Sequence, residues 1–212
     1  GIHIESKGNI LPVKIIIFDL GNVIVFVNQM QICEEISVWG GSSEDIYDYI
    51  FLGGIETKFD QGEINPFEFF ENIKKRFNLN MGYEDFKRVW SGGFIQNKEI
   101  FPLIKALKPG YRLCLLSNTN QIHFEEIQRK VSILSEFELF FLSFQLGVRK
   151  PNPSIFQKAL VHVKAMPDEC VYIDDIDAYV EAARKIGFNG IVYQDVPMLK
   201  KSLEALGISH IV

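Results

Sequence analysis

Four short stretches carry side chains that could do chemistry together. Asp19 closes the apolar run Ile15-Ile16-Ile17-Phe18 and is followed by Leu20-Gly21-Asn22-Val23. Four large apolar residues without alternation suit a strand covered on both faces, and Gly21-Asn22 permits a sharp turn after it. Ligands of open α/β sheets bind beyond the carboxyl ends of the strands, so Asp19 is either a catalytic carboxylate or an ordinary turn former. The second stretch, Ser117-Asn118-Thr119-Asn120, stands between the apolar run Tyr111–Leu116 and a helical period over Gln121–Lys130. Such residues cap a helix, and the free N–H groups with a serine hydroxyl also make a ready phosphate site. In the third, Gly147-Val148-Arg149-Lys150-Pro151-Asn152-Pro153, Lys150 has the ordinary reading of a solvated charge, but two prolines restrain its backbone. Finally, Asp174-Asp175 ends the run Cys170–Ile173. Adjacent carboxylates repel, and a metal ion would supply the missing counter-charge.

Strands must deliver these groups to one place. The pattern predicts strands at Ile15–Phe18, Tyr111–Leu116, Leu139–Phe144, Cys170–Ile173 and Gly190–Tyr193, with a short last piece at Ile208–Val212. Helical periods alternate with them at Asn97–Leu107, Gln121–Lys130, Ser154–Val163, Ala178–Ile186 and Met198–Leu206. This is the α/β alternation of a doubly wound, Rossmann-like parallel sheet. About ninety residues separate the first two strands, whereas a plain crossover needs only a few tens. The extra text is helical, at Met30–Trp39, Ser43–Leu52, Pro66–Phe77 and Tyr83–Trp90, with glycine pairs as punctuation. The expected organisation is a core of residues 12–28 and 94–212 carrying an inserted α-helical cap at residues 29–93. Within the cap, Asn65-Pro66 reads as a helix start, and Phe67, Phe69, Phe70, Ile73 and Phe77 as a stripe packed into its core.

Composition narrows the function classes. A net charge of −5 over 212 residues argues against a surface built for nucleic acid or anionic lipid. With 47% hydrophobic and 23% charged residues the chain reads as a soluble globular protein. Cys33, Cys114 and Cys170 are scattered and form no C-x-x-C pair, which points to a reducing, cytoplasmic compartment and no zinc site. No apolar run approaches the roughly 20 residues of a membrane span, and Gly1–Leu11 lacks the apolar core of a signal peptide. Nothing in the pattern indicates an oligomeric state.

The four stretches together resemble the haloacid dehalogenase-like hydrolase superfamily, in the group whose helical cap follows the first strand. The likeness rests on Phe18-Asp19-Leu20-Gly21-Asn22-Val23, Leu116-Ser117-Asn118, Arg149-Lys150-Pro151 and Ile173-Asp174-Asp175, in that order, with Phe59-Asp60-Gln61-Gly62-Glu63-Ile64 in the cap. The resemblance implies a phosphatase of small phosphorylated metabolites in which Asp19 attacks phosphorus and forms an aspartyl-phosphate. It implies Mg²⁺ held by Asp19, the Gly21 carbonyl and Asp175, with Asp174 as a further ligand or close behind one. Ser117, the backbone amide of Asn118 that follows it, Lys150 and the N–H groups of the loop through Gly21 and Asn22 would contact the phosphoryl oxygens. Phe26, Asn28, Glu56 and Lys58 are candidate contacts near the cap.

Two departures qualify the likeness. Most phosphatases of the family have a second aspartate two residues after the nucleophile, and this chain has Gly21 there, in the Asp-Leu-Gly-Asn form shared with sugar-1-phosphate phosphatase-like members. Leaving-group protonation then falls to another group or to water. Tyr179 stands where relatives often have asparagine and is expected to bear on the orientation of Asp175. A 2-haloacid dehalogenase, using the same aspartate without metal, and a catalytically silent phosphate-binding or interaction protein are the competing readings. Asp174-Asp175 opposes the first, since without metal it would leave uncompensated charge.

Overall fold

A computed structural model of the chain describes residues 11–208, so all but the first residue of the piece expected at Ile208–Val212 lies outside the described residues. Its centre is a five-stranded parallel sheet in the order β5-β4-β1-β6-β7, formed by β1 (Ile15–Phe18), β4 (Arg112–Ser117), β5 (Leu139–Leu142), β6 (Cys170–Asp174) and β7 (Asn189–Val192). β1 lies in the middle, with Phe18 paired to Leu115 on one side and Ile173 on the other. Period-two alternation explains its unbroken apolar text. Ile16 and Phe18 enter one core with Leu113, Leu115, Val171 and Ile173, while Ile15 and Ile17 enter the opposite one with Cys114, Leu116, Cys170 and Tyr172.

Helices complete both layers. α6 (Phe101–Leu107), α7 (Gln121–Lys130) and α11 (Val196–Ala205) cover the first face; α9 (Pro153–Val163) and α10 (Asp177–Ile186) cover the second. Full burial of each β1 side chain is worth about 1.5–3 kcal/mol, so the strand that ends at Asp19 is firmly anchored. Among the described residues no helix is long and apolar enough to cross a membrane.

The chain leaves and re-enters this core through a small antiparallel ribbon, β2 (Val25–Val27) against β3 (Phe94–Gln96). Between the two strands lie α1 (Gln29–Ser37), α2 (Ser43–Tyr47) continuing into a π-helical turn at Asp48–Leu52, α3 (Ile55–Asp60), α4 (Pro66–Phe77) and α5 (Tyr83–Gly92). They enclose a separate core in which Phe59 stacks on Phe69 and Phe86 on Trp90, while Phe69 meets Phe86 and Trp90 edge-on. Asn65 caps α4 through a reciprocal pair with Glu68, and Pro66 occupies the first turn.

Several local expectations change. Phe69, Phe70 and Ile73 are buried, but Phe67 is 52% exposed and packs edge-on against Tyr83. The strand predicted over Leu139–Phe144 stops at Leu142, and Ser143 begins the short α8 (Ser143–Leu146). There the Ser143 hydroxyl donates to the Thr119 carbonyl and accepts from the Thr119 N–H, at 3.0 Å each, taking over the local backbone pairing. The helix predicted from Asn97 begins as a 3-10 turn at Lys98–Ile100, because the Asn97 side-chain amide is drawn to the Val23 carbonyl and the Tyr193 hydroxyl, at 2.9 Å each.

Candidate active site

All four chemical stretches meet at the carboxyl ends of β1, β4 and β6. The Asp19 N–H donates to the Ile173 carbonyl at 2.8 Å, continuing the ladder by one residue and setting Asp19 beside Asp174. The Leu20 N–H donates to Asp19 Oδ1 at 2.8 Å. Asn22 then turns the chain with φ of 61°, a left-handed conformation that asparagine tolerates better than most residues. A Cβ on Gly21 would have no neighbour within 4 Å.

Lys150 is fully buried, contrary to the ordinary reading of a lone lysine. Its ammonium donates to Asp19 Oδ1 at 2.9 Å, Asp174 Oδ2 at 2.8 Å and the Tyr172 hydroxyl at 2.8 Å, with the Leu116 carbonyl at 3.2 Å. Three N–H donors thus face four acceptors, and the burial cost is met by two carboxylates. The rings of Tyr172 and Tyr179 also flank the ammonium, with centroids at 5.5 and 5.4 Å. Tyr179, expected to bear on the orientation of Asp175, has its ring beside Lys150.

The Asn118 side chain is tied to the loop of Lys150. It accepts from the Lys150 N–H at 2.7 Å and donates to the Lys150 carbonyl at 3.0 Å. It therefore positions the loop that carries Lys150 and leaves the Asn118 backbone N–H as the group expected to face a phosphoryl oxygen. Ser117 is the last residue of β4, buried and two residues beyond the partner of Phe18.

The acidic pair divides its work. Both Asp174 oxygens are engaged: Oδ2 accepts from Lys150 and the Tyr172 hydroxyl, and Oδ1 from the Ile176 N–H at 2.9 Å. Asp175 Oδ2 accepts from the Asn22 side chain at 3.2 Å, whereas its buried Oδ1 has no partner among the described residues. Oxygens of Asp19, Asp174 and Asp175 lie within 4.8 Å of one another. A hard-oxygen set with one orphaned buried carboxylate oxygen fits Mg²⁺.

Electrostatics follow from these contacts. Burial pushes the Asp19 carboxyl upward, Lys150 opposes this, and the charges of Asp174 and Asp175 add to it. Burial also works against an ionised Asp174, but Lys150, the Tyr172 hydroxyl and the Ile176 N–H reverse the balance and hold it below the usual range. Burial and the neighbouring Asp174 raise Asp175. Burial disfavours the Lys150 charge, yet Asp19 and Asp174 more than compensate, so it stays protonated. A divalent cation among the carboxylates would favour their ionised forms.

The side facing the cap contains contacts that the sequence reading did not assign. Arg149 donates to Thr57 Oγ1 of α3 at 3.1 Å and lies 3.8 Å from Asp60 Oδ2. Asn120 donates to Asp60 Oδ1 at 3.4 Å and accepts from Trp90 Nε1 at 3.3 Å. His123 stacks on Trp90, and burial lowers its imidazole to about 4. Asn120, Arg149 and Asp60 lie in the quoted motifs, but nothing local to them shows these partners, and Trp90 and His123 read as ordinary helix residues. Of the suggested cap contacts, Glu56 faces this region, Asn28 caps α1 by accepting from the Gln31 N–H at 3.0 Å, Lys58 is exposed, and Phe26 is 42% exposed on the ribbon.

The family model for haloacid dehalogenase-like hydrolases matches residues 13–187. A D-ribitol-5-phosphate phosphatase of Bacteroides thetaiotaomicron is 26% identical over 184 residues, covering 83% of this chain and 89% of its own. A predicted hydrolase of the same type from Porphyromonas gingivalis superposes with a TM-score of 0.78 at 26% identity, over 91% of this chain and 98% of that one. A family enzyme from B. thetaiotaomicron, solved with magnesium and inorganic phosphate, shares the fold with a TM-score of 0.79 at 24% identity, over 88% and 98% of the two chains.

Proposed function

Because this chain belongs to the haloacid dehalogenase-like hydrolases, we propose that it is a Mg²⁺-dependent phosphatase of small phosphorylated metabolites acting through an aspartyl-phosphate on Asp19. The observation that carries this reading is the buried Lys150 ammonium between Asp19 and Asp174, beside the unpartnered oxygen of Asp175. Three carboxylates against one lysine leave the site acidic before a phosphate dianion arrives. Asp19, Asp175 and the Gly21 carbonyl would hold Mg²⁺, with Asp174 steadying the group through Lys150 and Tyr172. When bound, the ion supplies positive charge to the phosphoryl oxygens and lowers the repulsion between nucleophile and substrate.

The residues of the chain do the rest. An Asp19 carboxylate oxygen attacks phosphorus, the bond from phosphorus to the leaving oxygen breaks, and the departing alkoxide takes a proton from water or from a neighbouring group. Lys150 holds Asp19 in line and, with Ser117 and the N–H groups of the loop after β1, meets the charge that develops on the transferring group. Water attack on phosphorus then releases phosphate and restores Asp19. Gly21 offers no proton, so substrates whose leaving group needs little help are favoured. The magnesium- and phosphate-bound relative and the D-ribitol-5-phosphate phosphatase support the same reaction class.

Phosphate release from p-nitrophenyl phosphate tests this, because its good leaving group bypasses the missing acid. Turnover is expected with Mg²⁺ and lost with chelator or in Asp19→Asn. Turnover that survives in Asp19→Asn would overturn the mechanism.

A further inference from the structure

Cap and core meet across a polar seam whose charges do not balance. On the cap side α3 presents Asp60, 4% exposed, and Glu56, half-buried one turn earlier; both line a cavity of about 120 Å³ with Asn120 and His123 of α7. On the core side the Arg149 guanidinium donates to Thr57 Oγ1 at 3.1 Å and lies 3.8 Å from Asp60 Oδ2. Its buried Nε has no partner among the described residues. Two carboxyl groups thus share one cation. With both ionised the seam would hold a surplus negative charge away from water, whereas one proton makes the cluster neutral.

The surrounding elements add no compensating charge. His123 of α7 stacks on Trp90, and burial lowers it to about 4, so it is neutral near pH 7. Cys33 of α1 is pushed up to about 12 by burial and by the charges of Glu56 and Glu34, and is neutral as well. No charge from α4, α8 or the π-helical turn bears on either carboxyl. Burial and the charge of Asp60 raise Glu56 to about 8 against the pull of Arg149. Burial raises Asp60 to about 7, opposed by Arg149 and Asn120. Once the cap lifts and water reaches them, both return to the ordinary carboxylate range. The seated cap therefore binds protons that the lifted cap releases: seating is strongest below the ordinary carboxylate range, weakens as pH rises, and levels off above about 8.

We propose that Glu56, Asp60 and Arg149 form a proton-dependent clasp that seats the cap on the core in mildly acidic solution and loosens it in alkaline solution. Arg149 immediately precedes Lys150, so the clasp holds the same loop that carries the ammonium beside Asp19. The inference concerns the seat of the cap and stands apart from the reaction proposed at Asp19.

The Trp90 indole N–H donates to Asn120 Oδ1 at 3.3 Å across the seam and reports the seat directly. Its hydrogen exchange is followed by NMR on the full chain at fixed Mg²⁺ and expressed as protection relative to free tryptophan, which cancels the base catalysis of exchange itself. In the wild type protection should fall at least about tenfold between pH 6 and 8, since linkage to one proton gives up to tenfold per pH unit. Glu56→Gln leaves the contacts of Asp60 in place and should lose about half of that slope on a logarithmic scale, and Glu56→Gln with Asp60→Asn should be flat. Wild-type protection that does not change over this range, or a slope retained in full by Glu56→Gln, would overturn the proposal.

Discussion

Lys150 shows how far one residue's environment can depart from its ordinary behaviour. The side chain that a sequence reader would leave in solvent sits among Asp19, Asp174, Tyr172 and Tyr179, and its charge survives only because two carboxylates face it. Tyr172 is the quieter partner: its hydroxyl accepts from Lys150 and donates to Asp174, tying the two together. Removing that hydroxyl should loosen the lysine and the carboxylate at once. Tyr172→Phe is expected to lower kcat on p-nitrophenyl phosphate by roughly 10–100-fold and to raise the Mg²⁺ concentration needed for half-maximal rate. A variant with lower thermal stability but an unaltered Mg²⁺ requirement would show that Tyr172 serves packing alone. Asp19 and the acidic pair were visible in the sequence because a charge directly after a buried strand is conspicuous. Tyr172 was not, since a tyrosine within an apolar strand looks like core, and nothing local reveals that the Asn118 side chain holds a partner 32 residues away.

At the scale of elements, burial explains which were legible. β1, β4 and β6 are covered on both faces and wrote themselves as unbroken apolar runs ending at functional residues. The long amphipathic helices α4 and α5 announced themselves by period, and α4 also by its Asn65-Pro66 start. The ribbon of β2 and β3 did not, because three-residue strands paired across some seventy positions carry no local pattern, and α3 is too short to show a period. Yet these two elements are the joints of the molecule. α3 brings Thr57 and Asp60 against Arg149, and the turn after it places Gly62, with φ of +73°, directly against the backbone of Phe144. A Cβ there would come within 2.3 Å of the Phe144 carbonyl oxygen. Gly62→Ala should therefore lift the cap loop from α8, costing at least about 1 kcal/mol of stability, and reduce kcat/KM. Thermal unfolding and kinetics equal to wild type would mean that this close approach does not hold the cap.

At the scale of the whole molecule, the parts have separate duties. The sheet fixes the reacting groups through two large apolar cores, while the inserted helices keep a core of their own and reach the reaction centre chiefly through α3 and its neighbours. That division lets the cap differ in its choice of leaving group without disturbing the attack on phosphorus. The central claim is that Asp19 itself becomes phosphorylated. The most direct measurement is to mix enzyme, Mg²⁺ and p-nitrophenyl phosphate, quench in acid within one turnover, and map the phosphoryl group by peptide mass spectrometry. The account predicts a phosphoryl group on Asp19 that disappears as free phosphate is released and never forms in Asp19→Asn. Phosphate release with a fully unmodified Asp19 at every quench time, or a phosphoryl group on another residue, would contradict it.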